Sequence, residues 1–243
     1  MNVVSPIQTL ASFPAPLWKR ALDLCLFVLA LPLLVPLTVL ISLFIKLSSL
    51  GPILFSQTRV GRAGKPFRCY KFRTMKPNAC ASGHEQHLAS LLTSSTPMTK
   101  LDRGGDSRII PGGRLLRSSG LDELPQLLNV LRGEMSIVGP RPCLPYEFAL
   151  YHDHHKKRLA VVPGITGLWQ VTGKNRTTFE EMIDRDLAYI SRRSFGGDLS
   201  ILWRTTGVIL GQVLESFSSV PPPAPPATPA PIESRARISS AFP

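Results

Sequence analysis

The sequence predicts an α+β protein: a mostly helical cytosolic domain with a small β-hairpin, attached to a membrane by an N-terminal re-entrant, proline-bent helix. Three observations carry this prediction. The stretch from Ala21 to Ile45 is apolar except for Asp23, Thr38 and Ser42. An aromatic-rich segment with a glycine-containing turn follows it, and later segments show the apolar spacing of amphipathic helices.

Composition limits the classes of partner. The chain has 243 residues, 44% of them hydrophobic, which is enough for a sizeable core. A formal net charge of +12 favours an anionic partner, either nucleic acid, lipid headgroups or a phosphorylated substrate. The four cysteines form no CxxC pair, so the sequence indicates neither a zinc site nor a disulfide framework, and a reducing location fits better.

The apolar run predicts a membrane helix over residues 19–46. Its length suffices to cross a bilayer, which takes roughly 20 residues. Basic residues flank both ends, however, and such flanks favour the cytoplasmic side. Pro32 and Pro36 lie near the middle and each removes a backbone donor. A helix that bends there and leaves by the face it entered satisfies both observations; a kinked single span is the alternative.

The next segment, "GPILFSQTRVGRAGKPFRCYKFRTMKP", predicts a β-hairpin with its turn around Gly61 to Gly64. From Arg59 to Lys76 it carries seven basic residues and no acid, a run that would attract anionic headgroups or hold phosphate. It is not a P-loop, because Pro66 stands where that motif needs Ser or Thr.

The predicted organisation has four parts: a lead-in over residues 1–18, the membrane helix over 19–46, a catalytic domain over 47–216 and a Pro/Ala-rich disordered tail over 217–243. Within the domain, "TTFEEMIDRDLAYISRR" predicts an amphipathic helix that begins with a capping box between Thr178 and Glu181. A later helix, "DLSILWRTTGVILGQVLESF", would pack on the core or lie in the bilayer interface.

The stretch "SSGLDELPQLLNVLRGEMSIVGPRP" contains the candidate catalytic acids. Leucines at 121, 124, 128 and 131 have the spacing of a helix face, and Pro125 is tolerated only in a first turn. The helix should therefore begin near Asp122 to Leu124. Asp122 and Glu123 then lie at a helix N-terminus, where the dipole stabilises ionised carboxylates. Acids are common at helix starts for this reason alone, so the pair needs supporting context.

Basic residues around the acids supply that context. Arg117 precedes them, and Arg141 lies between two prolines that stiffen its loop. Two carboxylates beside a bound phosphate would form a site for Mg²⁺, and an aspartate can also attack phosphorus as a nucleophile. A structural salt bridge is the alternative role for Arg141.

Several ordered segments resemble one family: "KRALDL", the proline-interrupted run, "YKFRTM", "LDELPQLLNVLRGEMSIVGPRP", "PGITGLWQVTGKN" and "DLSIL". From about Trp18 to Gly211 the chain resembles the compact catalytic core of the bacterial sugar transferases, the polyprenyl-phosphate hexose-1-phosphate transferases. The resemblance implies transfer of a sugar 1-phosphate from a UDP-sugar to undecaprenyl phosphate with release of UMP. It also implies the cytoplasmic face of the bacterial inner membrane, in exopolysaccharide, capsule or O-antigen synthesis.

The resemblance also implies residue roles. Asp122 would be the nucleophile, and Glu123 its partner in Mg²⁺ binding or in deprotonating the lipid acceptor. The expected substrate- and phosphate-binding residues are Lys71, Arg117, Arg141, Arg158 and Lys174. Expected partners are the UDP-sugar, undecaprenyl phosphate and membrane lipids, with downstream glycosyltransferases as further candidates, and "KNRTTFEEM" resembles members that transfer galactose or glucose phosphate.

Two other classes remain as alternatives. A non-catalytic, membrane-anchored scaffold for polysaccharide assembly would use the Pro-rich tail to recruit partners. Nucleic-acid binding rests on charge alone, has no fold signature here and conflicts with the apolar run, so no nucleic-acid partner is expected. Histidines 152, 154 and 155 could be metal ligands, although clustered surface histidines are more often solvated.

Overall fold

In the described residues, a long apolar helix comes first and is followed by shorter helices and two small sheets. The structure is a computed structural model that describes residues 12–76, 96–97, 108–173 and 176–217. The sheets comprise the strands β1 (Leu54–Val60) with β2 (Pro66–Phe72), and β3 (Ser136–Val138) with β4 (Gly164–Thr166). The α-helices are α1 (Leu17–Ser48), α2 (Gly113–Ser118), α3 (Leu127–Arg132), α4 (Pro145–Ala149), α5 (Asp153–Lys156), α6 (Leu168–Thr172), α7 (Phe179–Ser191) and α8 (Phe195–Phe217). The predicted α+β class is confirmed.

Helix α1 is 32 residues long and includes both prolines. The predicted membrane segment, residues 19–46, lies within it, so the expectation of a long apolar helix is confirmed. Its central side chains project away from the protein, among them Val28, Leu29, Leu33, Val35, Val39 and Leu40. The N-terminal part instead contacts the folded domain: Lys19 forms a buried salt bridge of 2.6 Å with Asp198.

The predicted hairpin is confirmed. β1 and β2 pair antiparallel from Leu54 opposite Phe72 to Val60 opposite Pro66. The chain reverses through a 3₁₀ turn, Arg62–Gly64, that places Ala63 at φ 58° and Gly64 at φ 75°. Glycine adopts a positive φ without strain, which explains why residue 64 is a glycine.

The second sheet is an addition to the prediction, which named only the hairpin. β3 and β4 pair in parallel and are three residues each. A Cβ on Gly164 would lie 2.1 Å from the backbone nitrogen of Gly139, so the two chain segments approach more closely than any side chain would permit. This contact joins the "VGPRP" and "PGITG" loops.

Helix α7 confirms the predicted amphipathic helix and its capping box. The Glu181 amide donates to the Thr178 hydroxyl over 3.3 Å, and the Thr178 amide donates to the Glu181 carboxylate over 3.0 Å. Its apolar face packs into a core cluster with Trp169 and Tyr151. The capping box satisfies amide groups that a helix start otherwise leaves unpaired.

The helix after the two acids differs from prediction in form and in its buried face. A 3₁₀ helix, Leu121–Gln126, comes first and α3 follows it. Leu128 and Leu131 remain 44% and 36% exposed, so the leucine spacing does not mark the face turned to the core. Asn129 is buried instead, and its side chain binds the hairpin by donating to the Arg68 carbonyl over 2.6 Å.

Candidate active site

The two acids begin a helical segment, as predicted. Gly120 has φ 71°, which turns the chain from α2 into the 3₁₀ helix at Leu121. Asp122 and Glu123 occupy its first turn. Asp122 is 7% exposed, whereas the Glu123 side chain is about a quarter exposed, so the two neighbours differ in access to solvent.

A small cleft that is partly open to solvent lies beside Glu123. The residues that line it come from the hairpin, the 3₁₀ helix, the loop after β3, strand β4 and α6: Arg59, Cys69, Lys71, Glu123, Gln126, Arg141, Pro142, Gly164, Ile165 and Gln170. Among them are three basic side chains and one carboxylate. Such a balance favours an anionic ligand.

Lys71 and Glu123 form the ion pair at this cleft. The Lys71 Nζ lies 2.5 Å from Glu123 Oε1, and both side chains are about three quarters buried. β2 and the 3₁₀ helix pack against each other and bring this lysine to the acid across 52 positions of sequence. A pair in this environment orients its two side chains more firmly than an exposed pair would.

The predicted phosphate ligands are not all brought together. Lys71 and Arg141 line the cleft. Arg117 lies at the end of α2, where it donates to the Thr74 hydroxyl over 3.4 Å, and it is not among the cleft residues. Lys174 lies outside the described residues.

Arg158 does not fit its predicted role as a direct phosphate ligand. The side chain is 2% exposed and does not line the cleft. Its guanidinium donates to Asp186 over 2.5 and 2.9 Å and to the Tyr151 hydroxyl over 2.8 Å. Burial alone would lower the pKa of Arg158, but the interactions with Tyr151 and Asp186 raise it above its ordinary value, so the side chain stays charged.

Arg59 is a cleft residue that the sequence reasoning assigned only to a basic run. Its guanidinium donates to the Pro142 carbonyl over 3.1 Å and to the Gln57 side chain over 2.9 Å. Burial and the neighbouring charge of Arg141 lower the pKa of Arg59. The alternation of the strands could have predicted this position, because in this register positions 57, 59, 69 and 71 share one face of the hairpin.

The basic run is therefore not a uniform lipid-binding surface. Arg59 and Arg73 are buried, and Arg73 donates to the carbonyls of Ser49 and Leu50 over 2.8 and 2.5 Å. Cys69 also lines the cleft, and burial raises the pKa of its thiol. The thiol is consequently neutral near pH 7 and a poor nucleophile.

The carboxylates offer the kind of ligand that Mg²⁺ requires. Asp122 and Glu123 are adjacent oxygen donors, and Mg²⁺ binds oxygen ligands while keeping several waters or phosphate oxygens. Lys71 neutralises part of their charge. The pair therefore fits a shared site, in which the protein contributes one or two ligands and a bound phosphate the others.

A second group of potential metal ligands is held together by hydrogen bonds within the protein. The side chains of His154, His155 and Glu180 bring ligand atoms within 4.8 Å of one another. However, the His155 Nδ1 accepts from the amide of His152 over 3.2 Å, and its Nε2 faces Glu180 at 2.9 Å. A metal on Nε2 would require a proton on Nδ1, which that amide opposes.

Fold and cleft together define a class: an α+β protein whose described residues combine a long apolar helix with a cleft lined by three basic side chains beside two adjacent carboxylates. The family comparison agrees with this class. The family model described as "Bacterial sugar transferase" matches residues 15–212, and the chain belongs to that family.

The similar proteins are named for sugar transfer or for exopolysaccharide production. The chain is 44% identical over 164 residues to "Galactosyl transferase CpsE" of Streptococcus agalactiae, covering 66% of this chain and 35% of that protein. It is 38% identical to "Exopolysaccharide production protein ExoY" of Sinorhizobium fredii, covering 77% and 83%. It is 37% identical to "Undecaprenyl-phosphate galactose phosphotransferase" of Salmonella typhimurium, covering 79% and 40%. The match thus spans most of one relative and under half of the other two.

Proposed function

We propose that this protein transfers a sugar 1-phosphate from a UDP-sugar to undecaprenyl phosphate and releases UMP, as the first membrane step in making an extracellular polysaccharide. The observation that carries the proposal is the cleft. Three cations, Arg59, Lys71 and Arg141, line the same cleft as Glu123, whose neighbour in the chain is the buried Asp122. A diphosphate donor needs such an arrangement of positive charge beside an acid.

The proposed reaction has two displacements at one phosphorus atom. A carboxylate oxygen of Asp122 attacks the sugar-linked phosphorus, the bond to the UMP oxygen breaks and UMP leaves with that electron pair. A phosphate oxygen of undecaprenyl phosphate then attacks the same phosphorus and displaces Asp122. The product is an undecaprenyl diphosphosugar, and the carboxylate is regenerated.

The other cleft residues would stabilise charge. Lys71 and Arg141 would bind the donor phosphates, and Arg59 would add positive charge from the wall of the cleft. Mg²⁺, when bound by Asp122 or Glu123 together with the donor, would neutralise developing negative charge on the phosphate oxygens. Glu123, oriented by Lys71, would also accept a proton from the lipid phosphate.

The re-entrant topology is part of the proposal, and contacts at both ends of α1 support it. Near its start, Asp23 accepts from the hydroxyl of Ser136 and the amide of Ile137, each over 3.0 Å. Near its end, Ile41 and Ile45 pack in a cluster with Phe72. The two regions are about 27 Å apart along a helix, close to the roughly 30 Å hydrocarbon thickness, so a spanning helix would require one domain on both sides of the bilayer.

Helix α8 supports the same placement at a membrane surface. Phe195, Leu199, Trp203, Leu210 and Leu214 are all exposed and fall within roughly 100° of the helix circumference. Trp203 is 80% exposed. Phe195 contacts Trp18 of α1 edge to face, with ring centroids 6.2 Å apart, so the apolar stripe is continuous with the membrane helix. We propose that the protein lies on the cytoplasmic face of the bacterial inner membrane.

The test is a comparison of Asp122→Asn with Asp184→Asn, an exposed aspartate on α7, in purified membranes. With Mg²⁺, undecaprenyl phosphate and radiolabelled UDP-galactose or UDP-glucose, D122N should lose turnover at least about 10³-fold, because an amide is not a comparable nucleophile. D184N should retain wild-type rates. Near wild-type UMP release by D122N would exclude the proposed mechanism, and no release by the unsubstituted protein with a full set of UDP-sugars would favour a scaffold.

A further inference from the structure

The loop that carries Arg141 is held by its carbonyl groups, one after another. The Pro140 carbonyl accepts from the Gly164 amide over 2.9 Å, and the Cys143 carbonyl accepts from the Val60 amide over 2.9 Å. Between them, the Arg141 carbonyl accepts from the guanidinium of Arg158 over 3.0 Å. The Pro142 carbonyl accepts from Arg59 over 3.1 Å. Four successive carbonyls thus each have a donor: Gly164 binds the first, Arg158 the second, and two neighbouring residues of β1 bind the last two.

This arrangement restricts the torsions that aim the Arg141 side chain. Proline rings fix φ at Pro140 and Pro142, which leaves ψ of Pro140 and the φ and ψ of Arg141 as the adjustable torsions between them. A donor on the Arg141 carbonyl fixes the peptide plane that follows and hence ψ. Arg158 is that donor, and it acts from outside the cleft.

Arg158 is itself held firmly. Asp186, 1% exposed, accepts from two of its nitrogens, and the Tyr151 hydroxyl accepts from a third. A guanidinium serves three acceptors in fixed directions at once, whereas a lysine ammonium at the same place could reach only one or two of them. Burying a charge is costly, so a simple packing role would be filled better by an apolar side chain.

We propose that Arg158 is a positioning residue for the transfer reaction: it fixes the backbone of Arg141 and so directs the Arg141 guanidinium to the donor phosphate. This inference rests on the proposed function. In this inference Arg158 contacts Arg141, which binds the phosphate, and does not itself contact the substrate.

The test is a double-mutant cycle with Arg158→Lys and Arg141→Ala, measured as kcat/KM for the UDP-sugar and as affinity for UMP. R158K alone should lower kcat/KM on the order of 100-fold, since small misplacements of a positioning group cost that much. In the R141A background it should cost less than about threefold, because Arg158 then has no side chain to direct. Equal losses in both backgrounds would overturn the inference and leave a merely structural role.

Tyr151→Phe is the matched control, because it removes a partner of Arg158 and leaves the bond to the Arg141 carbonyl in place. Y151F should reduce the melting temperature while kcat/KM stays within about threefold of wild type. A loss in Y151F as large as that in R158K would contradict positioning. If R158K does not fold, Asp186→Asn enters the same cycle with the same expectations, because Asp186 binds the nitrogen of Arg158 that donates to the Arg141 carbonyl, whereas Tyr151 binds a different one. If the unsubstituted protein shows no transfer activity, the proposed function is refuted. The positioning role of Arg158 is then judged from the UMP affinities of the same variants.

Discussion

The ion pair between Lys71 and Glu123 predicts a residue-scale effect on catalysis. Lys71→Met removes a cation from the cleft and the partner that orients Glu123. We expect kcat/KM for the UDP-sugar to fall about 10- to 100-fold, matching the about 1.5–3 kcal/mol of a hydrogen bond to a charged group. Steady-state UMP release measures this loss.

Lys65→Met is the control for that substitution, since Lys65 is exposed at the turn of the same hairpin and loses the same charge. K65M should leave kcat/KM within about twofold of wild type, because exposed charges contribute little. Equal losses in the two variants would mean that net charge, rather than the cleft, sets the rate.

His155 predicts how stability depends on pH. Burial lowers its pKa, with Glu180 opposing and His154 and His152 adding to the fall. The unfolded chain therefore binds more protons than the folded one below the ordinary value of about 6.5. The contribution of His155 to stability should be complete above about pH 6.5 and decline as pH drops through the lowered pKa.

Thermal unfolding in detergent between pH 5 and 7.5 measures this decline. His155→Gln should remove the fall in melting temperature below about pH 6.5 that His155 causes, because Gln does not titrate. His154→Gln, at a side chain that is half exposed, should keep it. Glu180 also faces His155, but its pKa is lowered by the histidines and it titrates below this window. An unchanged slope in H155Q would contradict the assignment.

At the residue scale, residue type and spacing predicted a helix start at the two acids, and the family resemblance named Lys71 and Arg141, which the structure places at the cleft. Asp122 and Glu123 come just before Pro125, which is tolerated only in a first turn, so they lie at a helix start wherever that helix lies. Arg158 did not follow, because a buried arginine and a cleft arginine look the same in a sequence. Its role depends on Asp186, 28 positions away, and no local pattern indicates that contact.

At the element scale, Gly164 predicts a strong backbone effect. Gly164→Ala would place a Cβ 2.1 Å from the Gly139 amide nitrogen, so β3 and β4 would have to separate. We expect a loss of at least about 3 kcal/mol in stability, in the range of severe backbone or packing disruption, and a loss of turnover because Gly164 also lines the cleft. Thermal unfolding and UMP release measure the two effects.

Gly207 supplies the comparison, since it lies within α8 and a Cβ there meets nothing within 4 Å. Gly207→Ala should raise stability by up to about 1 kcal/mol through helix propensity alone. If G164A proved as harmless as G207A, the close approach of the two loops would not be needed by the fold.

The elements that sequence predicted are those whose signals are local. The hairpin and α7 follow from turn residues, alternation and a capping box within a few positions. The β3–β4 pair joins three-residue strands 28 positions apart. Strands this short show no alternation of apolar and polar residues from which they could be predicted. The exposure of Leu128 and Leu131 was not predicted for a related reason. Apolar spacing indicates an apolar face but does not say whether protein or lipid covers that face.

At the scale of the whole molecule, polar contacts couple the membrane helix to the site. Lys19 pairs with Asp198, which also accepts from the Tyr189 hydroxyl over 3.0 Å. Asp23 holds the start of β3, the strand that leads into the Arg141 loop. Asp23→Asn should therefore lower stability by about 1–3 kcal/mol, the cost of weakening buried charge-assisted hydrogen bonds, with thermal unfolding as the measurement. An unchanged melting temperature in D23N would show that these bonds contribute nothing net.

The proposed re-entrant topology gives a prediction about accessibility across the membrane. Phe13 and Leu50 are exposed on either side of α1, while Leu33 is exposed only where the helix would meet lipid. With the native cysteines replaced, Phe13→Cys and Leu50→Cys should both resist a membrane-impermeant maleimide in intact cells and both react in inverted vesicles. Leu33→Cys should be protected in both. Reaction of position 13 from outside with position 50 protected would establish a span, and the contacts of both ends of α1 with one domain would then need another explanation.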